Sequence, residues 1–237
     1  MKRAAFWLIF LSLPYTALAQ VSNEELRTMR ILGDLERESR PYRSGSYLNG
    51  PEVEGDPYLW PRWSPGSITL YRDSKTFELP GLKYDVLSYG IDVLFATGSI
   101  KSLDGSLVLS FEYKDSLTQI PHKYVNGKDF KRDEVPIRGF LEVLCWGKID
   151  VYALTTATLL KPNYNMAIGS GNPNYQIAKK RAVLYGPGVD LRTLSKKEVA
   201  KLWAEKKEAM AKFQRTNKLD LSSERGLLLM IDYFNTL

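Results

Sequence analysis

His122 is the single histidine and Cys145 the single cysteine of this 237-residue chain. A zinc site needs three or four ligands at set spacing, and a histidine-based triad needs a nucleophile and an orienting carboxylate around the ring. No His or Cys cluster is present to supply them, so no metal and no cofactor is expected. Cys145 lies inside the apolar run Leu141-Glu142-Val143-Leu144-Cys145-Trp146. It reads as a buried, inert thiol, and being alone it rules out an intramolecular disulfide. Ile168-Gly169-Ser170-Gly171-Asn172 is glycine-rich, but Pro173 follows it rather than a Lys-Ser or Lys-Thr pair. A phosphate cradle needs backbone amides aimed by a following helix, so this segment reads as a loop.

Carboxylates offer another chemistry. Asp85, Asp92, Glu112, Asp115, Glu142 and Asp150 fall on or near expected strands. Glycoside hydrolysis needs two carboxyls roughly 5–10 Å apart. No motif singles out such a pair, so no residue is assigned a catalytic role. In a hairpin register, Glu142 and Asp150 point to opposite faces, and Glu142 is expected to pair with a helix Lys or Arg. The candidate binding residues are aromatic. Tyr58, Trp60 and Trp63 present flat faces that either stack on sugar rings or plug one open end of a β core. Tyr42 and Arg43, with Arg40 and Tyr47, make a partner-binding strip if the linker around them is exposed.

The elements that must hold these residues follow from periodicity and punctuation. Short apolar runs recur from Ser67 to Tyr185, separated by Asp73-Ser74, Pro80-Gly81, Asp104-Gly105 and Asn126-Gly127. Asn-Gly is the strongest short hairpin signal. The pattern predicts a mainly β fold, a β-sandwich or partly open barrel. Phe140 to Leu154 reads as one hairpin with its turn at Gly147-Lys148, placing Leu141, Val143, Cys145, Tyr152 and Leu154 on one face. Leu144, Trp146, Ile149 and Val151 fall on the other. Both faces are apolar, so the hairpin should be covered on both sides. Cover is expected from a C-terminal two-helix hairpin. One helix is capped by Ser195 with Glu198 at its third position and runs to about Arg215. The second is capped by Ser222 or Ser223, with Leu227, Leu228, Ile231 and Phe234 on its apolar face.

The N-terminus carries a different signal. Lys2 and Arg3 precede an apolar run from Ala4 to Leu13, then Pro14 and the small-residue pattern Ala17-Leu18-Ala19. That is the grammar of a cleavable signal peptide, with cleavage near Ala19. The run is about ten residues, whereas a spanning helix needs about 20. No transmembrane span is expected after cleavage. The expected organisation is a signal peptide over 1–19, an N-terminal helix and linker over 20–56, a β-rich domain over 57–190 and the helical hairpin over 191–237. The helix, from about Asn23 to Glu38, is capped by Ser22. The net charge is +6, and its basic residues concentrate between Lys196 and Lys218 among acidic ones. That is a solvated helix face, so nucleic acid is not an expected partner.

Pro57-Tyr58-Leu59-Trp60, Pro65-Gly66-Ser67-Ile68-Thr69-Leu70, Tyr84-Asp85-Val86, Phe140-Leu141-Glu142-Val143-Leu144 and Asp232-Tyr233-Phe234-Asn235 resemble a group of uncharacterised exported proteins of Gram-negative bacteria with no known activity. The resemblance covers most of Pro57 to Leu237. It implies an envelope location and carries no functional residues. The expected function is therefore that of an exported periplasmic or secreted envelope protein without catalytic activity, binding a protein or surface polysaccharide. The alternative is a glycan-binding or glycan-hydrolysing protein using the aromatic cluster and strand carboxylates.

Overall fold

The computed structural model describes residues 30–31, 33–35, 40–41 and 53–237. The expected signal peptide, the Ser22 cap and most of the first helix lie outside the described residues. Arg30, Ile31 and residues 33–35 are helical, and Leu35 is buried in the sheet core.

The described chain is mainly β, with helices at its C-terminus, as its periodicity predicts. The strands are β1 Arg40–Pro41, β2 Val53–Glu54, β3 Ser64–Leu70, β4 Thr76–Asp85, β5 Gly90–Leu94, β6 Ile100–Leu103, β7 Val108–Lys114, β8 Pro121–Asn126, β9 Lys131–Arg132, β10 Val135–Pro136, β11 Phe140–Cys145, β12 Asp150–Leu160, β13 Tyr175–Gly186 and β14 Arg192–Thr193. Twelve of them form a single sheet that does not close into a barrel. Its order is β1-β6-β5-β4-β3-β7-β8-β11-β12-β13-β14, with β2 parallel to β13 at one end. β9 and β10 form a small separate ribbon.

Alternation along the strands sorts the apolar residues into three clusters. The largest joins Ile68, Phe77, Tyr84, Ile91, Phe111, Tyr124 and Phe140 across β3 to β11. Aromatic contacts knit it: Phe111 stacks on Tyr124 at 4.6 Å between centroids, and Phe140 meets Phe111 edge-on at 4.9 Å. The β11–β12 hairpin is covered on both sides, as its two apolar faces require. Leu141, Tyr152 and Leu154 pack with Ile137, Leu184 and Leu191 on one face. Val151 and Tyr185 pack beneath the helices on the other.

The helices are α1 Lys196–Leu202, α2 Lys207–Thr216 and α3 Glu224–Thr236. Ser195 caps α1 by accepting the Glu198 N–H at 3.3 Å, and Ser223 caps α3 by accepting the Gly226 N–H at 3.0 Å. Trp203, Met210, Met230 and Ile231 bury themselves against Val151 and Tyr185. The Tyr185 hydroxyl donates to Glu198 at 2.8 Å and ties α1 to the sheet. Burial, and then the Glu198 carboxylate, push its pKa up to about 12.

Four local expectations are corrected. Pro80-Gly81 is not a turn: β4 runs straight through it, and a bulge shifts the register from Gly66↔Leu79 to Ser64↔Leu82. A bulge tolerates proline because the ladder is already interrupted there. Asn126-Gly127 does not close a tight hairpin. The Asn126 side chain instead donates to the carbonyls of Gly105 and Val108 at 2.9 and 2.7 Å and caps the 3-10 turn Gly127–Asp129. The first C-terminal helix breaks after Leu202, with a 3-10 turn at Ala204–Lys206 separating α1 from α2. Packing of both Trp203 and Met210 into one cluster overrides the helical propensity of the intervening residues. Lastly, a bulge between Val143 and Cys145 turns Cys145 to the helix face, opposite Val151, while Val143 keeps its pairing with Tyr152.

Candidate functional site

The aromatic candidates are sorted by burial. Trp60 is only 9% exposed, and its ring stacks on Tyr113 at 3.7 Å between centroids. Such a stack contributes about 0.5–1.5 kcal/mol beyond burial, and it occupies the face a sugar would need. Its Nε1 is buried with no hydrogen-bond partner. Tyr58 is also buried; its hydroxyl donates to Asp92 at 2.5 Å, and the Lys83 ammonium lies 3.6 Å from its ring centroid. Trp63 is half-buried, with the same ammonium 5.8 Å from its ring. Tyr42 and Arg43 lie outside the described residues.

Four of the candidate carboxylates, Asp85, Asp92, Asp115 and Asp150, are committed to the fold. Asp85 accepts the N–H groups of Leu87 and Ser88, Asp115 those of Leu117 and Thr118, and Asp150 that of Gly147. Asp92 accepts from Tyr58 and Ser102. Burial raises its pKa, and the two hydroxyl donors only partly offset that. Glu112 is exposed on β7, opposite Ser67 and Lys123. Cys145 has its thiol pKa pushed up, first by burial, and takes a hydrogen bond from the Asn235 amide at 3.3 Å. A raised pKa disfavours the thiolate that nucleophilic chemistry needs.

Glu142 is the exception in kind. It sits on β11 at 8% exposure with a different partner on each oxygen. His122 Nδ1 lies 2.8 Å from Oε1, and the Arg181 guanidinium donates to Oε2 at 2.7 Å. Arg181 then reaches across to Glu224, the first residue of α3, at 3.1 Å. The expected helix cation is thus a strand arginine, and the helix supplies a second carboxylate. Burial works against the charge on Arg181, but its bonds to Glu142 and Glu224 outweigh that and hold its pKa above the ordinary value. The imidazole of His122 stacks on Tyr113 at 5.0 Å, which links this ionic chain to the aromatic core.

Arg181 and Glu224 form one wall of a groove of about 620 Å³. Arg132, Lys180 and Thr193 contribute its other polar groups, and Leu154, Ala182, Val183, Leu194 and Leu227 its apolar lining. Three cations face one carboxylate. The groove runs along the outer edge of β13. That edge is paired with β2 at Tyr175 and Gln176 and with β14 at Leu184 and Tyr185. From Ile177 to Ala182 it has no strand partner among the described residues, roughly 20 Å of chain at about 3.4 Å per residue. The Val183 carbonyl accepts the Leu194 N–H across this edge at 2.8 Å. Alternation therefore directs the N–H and C=O of Lys179 and Arg181 to the same edge. Two backbone positions without a strand partner among the described residues, beside a cationic, part-apolar groove, suit the binding of an extended chain.

Sequence reasoning missed Arg132, Lys180, Arg181 and Glu224. A signal was present: from Val151 to Val189 the chain contains no Asp or Glu, while Lys161, Lys179, Lys180 and Arg181 all fall inside that stretch. No protein-family model, curated protein or solved structure matches the chain. Among the described residues no group of three His, Cys, Asp or Glu side chains could hold a metal, and no helix is long and apolar enough to cross a membrane.

Proposed function

We propose that this is an exported envelope protein that binds a protein partner without catalysing a reaction, by pairing an extended acidic segment of that partner with the open edge of β13. The observation that carries this reading is the interrupted edge itself: it is paired at both ends, has no strand partner in the middle among the described residues and lies beside a cationic groove. Strand addition draws affinity from main-chain hydrogen bonds and specificity from side-chain pockets. Here Leu154, Ala182 and Leu227 offer an apolar pocket, while Arg132 and Lys180 select acidic residues. Lys180, exposed on this stretch, disfavours an identical edge, so a second copy of the chain is a poor occupant. Envelope location rests on the N-terminal signal grammar and is tested by sequencing the mature N-terminus, which should be Gln20.

The binding reading is tested by selecting peptides from a random ten-residue display library. The selected peptides should alternate apolar and acidic residues. The double variant Arg132→Glu with Lys180→Glu should weaken their binding at least tenfold. Selection of peptides without acidic residues, or undiminished binding by the double variant, would contradict the reading.

A further inference from the structure

A second cavity, of about 530 Å³, lies between the β4–β5 turn, the 3-10 turn Gly105–Leu107 and the segment 135–140. It shares no lining residue with the β13 groove, and its size is that of a small-molecule site. Its wall is built from constrained backbone. Tyr89 has a φ of 61°, a left-handed conformation that bulky residues rarely adopt. Other described residues with positive φ, such as Ser74 and Gln119, are exposed and polar. Tyr89 is half-buried and belongs to none of the three apolar clusters, so core packing does not account for its conformation. Two glycines close around it. A Cβ at Gly105 would collide with the Tyr89 carbonyl oxygen, and one at Gly139 would lie 2.9 Å from the Tyr89 ring. Backbone strain of this kind clusters at ligand clamps.

The polar lining singles out one charge. Asp104 caps the 3-10 turn by accepting the Ser106 N–H at 2.9 Å, and the Lys128 ammonium donates to the carbonyl of the same Ser106 at 2.8 Å. One carboxylate and one cation therefore meet at that turn and offset each other. Arg138 is the remaining charge. It is exposed, with no hydrogen bond or ion pair among the described residues, and the Tyr89 hydroxyl has none either. Val135, 63% exposed, and Pro136 give the cavity an apolar wall. We propose that this cavity binds a small organic carboxylate with an apolar body. The carboxylate pairs with the Arg138 guanidinium, whose planar fork suits two parallel hydrogen bonds. The body covers Val135, Pro136 and the Tyr89 ring. A neutral ligand would leave Arg138 unpaired, and an acid without a body would leave Val135 exposed, so both parts are needed.

The test is a titration of the isotope-labelled protein, followed by amide NMR, with phenylacetate and hexanoate. Each is matched by its neutral amide, and acetate supplies the charge without the body. At least one of the two acids should shift the Tyr89, Arg138 and Gly139 amides saturably. It should bind at least tenfold more tightly than its amide or acetate. Arg138→Gln should lose at least tenfold with the thermal midpoint unmoved, because the side chain is exposed and unpaired. Asparagine adopts a positive φ more readily than tyrosine. Tyr89→Asn should therefore keep or raise the midpoint while weakening binding severalfold. Arg132→Glu with Lys180→Glu, in the other groove, should leave acid binding unchanged. Equal binding of acid and amide, shifts confined to the β13 groove, or no saturable shift at Tyr89 and Arg138 with either acid would overturn the proposal. So would undiminished binding by Arg138→Gln.

Discussion

Three carboxylates are buried in this sheet, Asp85, Asp92 and Glu142, and the last two are handled in opposite ways. Asp92 on β5 is surrounded by hydroxyl donors, Tyr58 and Ser102, and its pKa is raised by burial. Glu142 on β11 is held by the Arg181 guanidinium and lies beside the His122 ring, and its chain of contacts continues to Glu224 on α3. The Asp92 arrangement ends within the strands and the Tyr58 segment packed on them. The Glu142 arrangement ends at an open groove. The same residue class thus serves two purposes: one acid fastens a chain segment to the sheet, and the other fixes the orientation of a cation at a surface.

Removing the cation should cost the most. Arg181→Ala leaves the Glu142 carboxylate buried without its strongest partner. Breaking a buried pair costs about 3–5 kcal/mol; the arginine side chain is itself 41% exposed, so the loss should be about 3 kcal/mol by denaturant titration. Double substitution to Glu142→Leu with Arg181→Met should recover most of that, since neither charge is then left alone.

Asp92→Ala should cost less, about 2 kcal/mol, because it strands the Tyr58 and Ser102 hydroxyls and weakens the field at Lys83 opposite it, which keeps its contact with the Tyr58 ring. Asp92→Asn keeps an acceptor for Tyr58 and should cost under about 1 kcal/mol at neutral pH. The pH dependence sharpens the contrast. A raised carboxyl pKa means the folded state binds its proton more readily than the unfolded chain. The penalty for burying Asp92 is therefore present above its folded pKa and relieved as pH falls through that value towards 3.8. The parent should gain stability relative to Asp92→Asn across that window, read as the difference between their two pH–stability curves.

Glu54 provides the smallest effect and the opposite sign. Its pKa is lowered, first by the Asn174 amide and then by Asn172. Its contribution is present above the ordinary carboxyl value of 4.5 and lost as pH falls through the folded one. Amides near Asn163 and Asn172 should exchange faster in acid in the parent, and Glu54→Gln should flatten that dependence without moving the global midpoint.

Much of the frame was legible in the residues. Two apolar faces on Phe140–Leu154 announced cover on both sides, and Ser195 and Ser223 announced their helices through capping. What failed was local. Pro80-Gly81 and Asn126-Gly127 have turn chemistry, yet pairing with β3 carries the first through a bulge and the Asn126 amide is drawn to two buried carbonyls. The groove was less legible for a physical reason. Its lining comes from residues as distant as Arg132 and Glu224, which only the order of strands and the docking of α3 bring together. The aromatic candidates drew attention by type, but Tyr58 and Trp60 spend their faces on packing.

The central claim is that β13 has an open edge that receives a strand. Amide hydrogen exchange at Lys179 and Arg181, with and without an acidic peptide selected for binding, tests it most directly. Both amides should exchange freely in the unbound protein and slow at least tenfold when the peptide is bound, while the Lys180 and Ala182 amides, turned towards β12, change little. Peptide binding that leaves Lys179 and Arg181 unchanged, or that protects a different surface, would contradict the account.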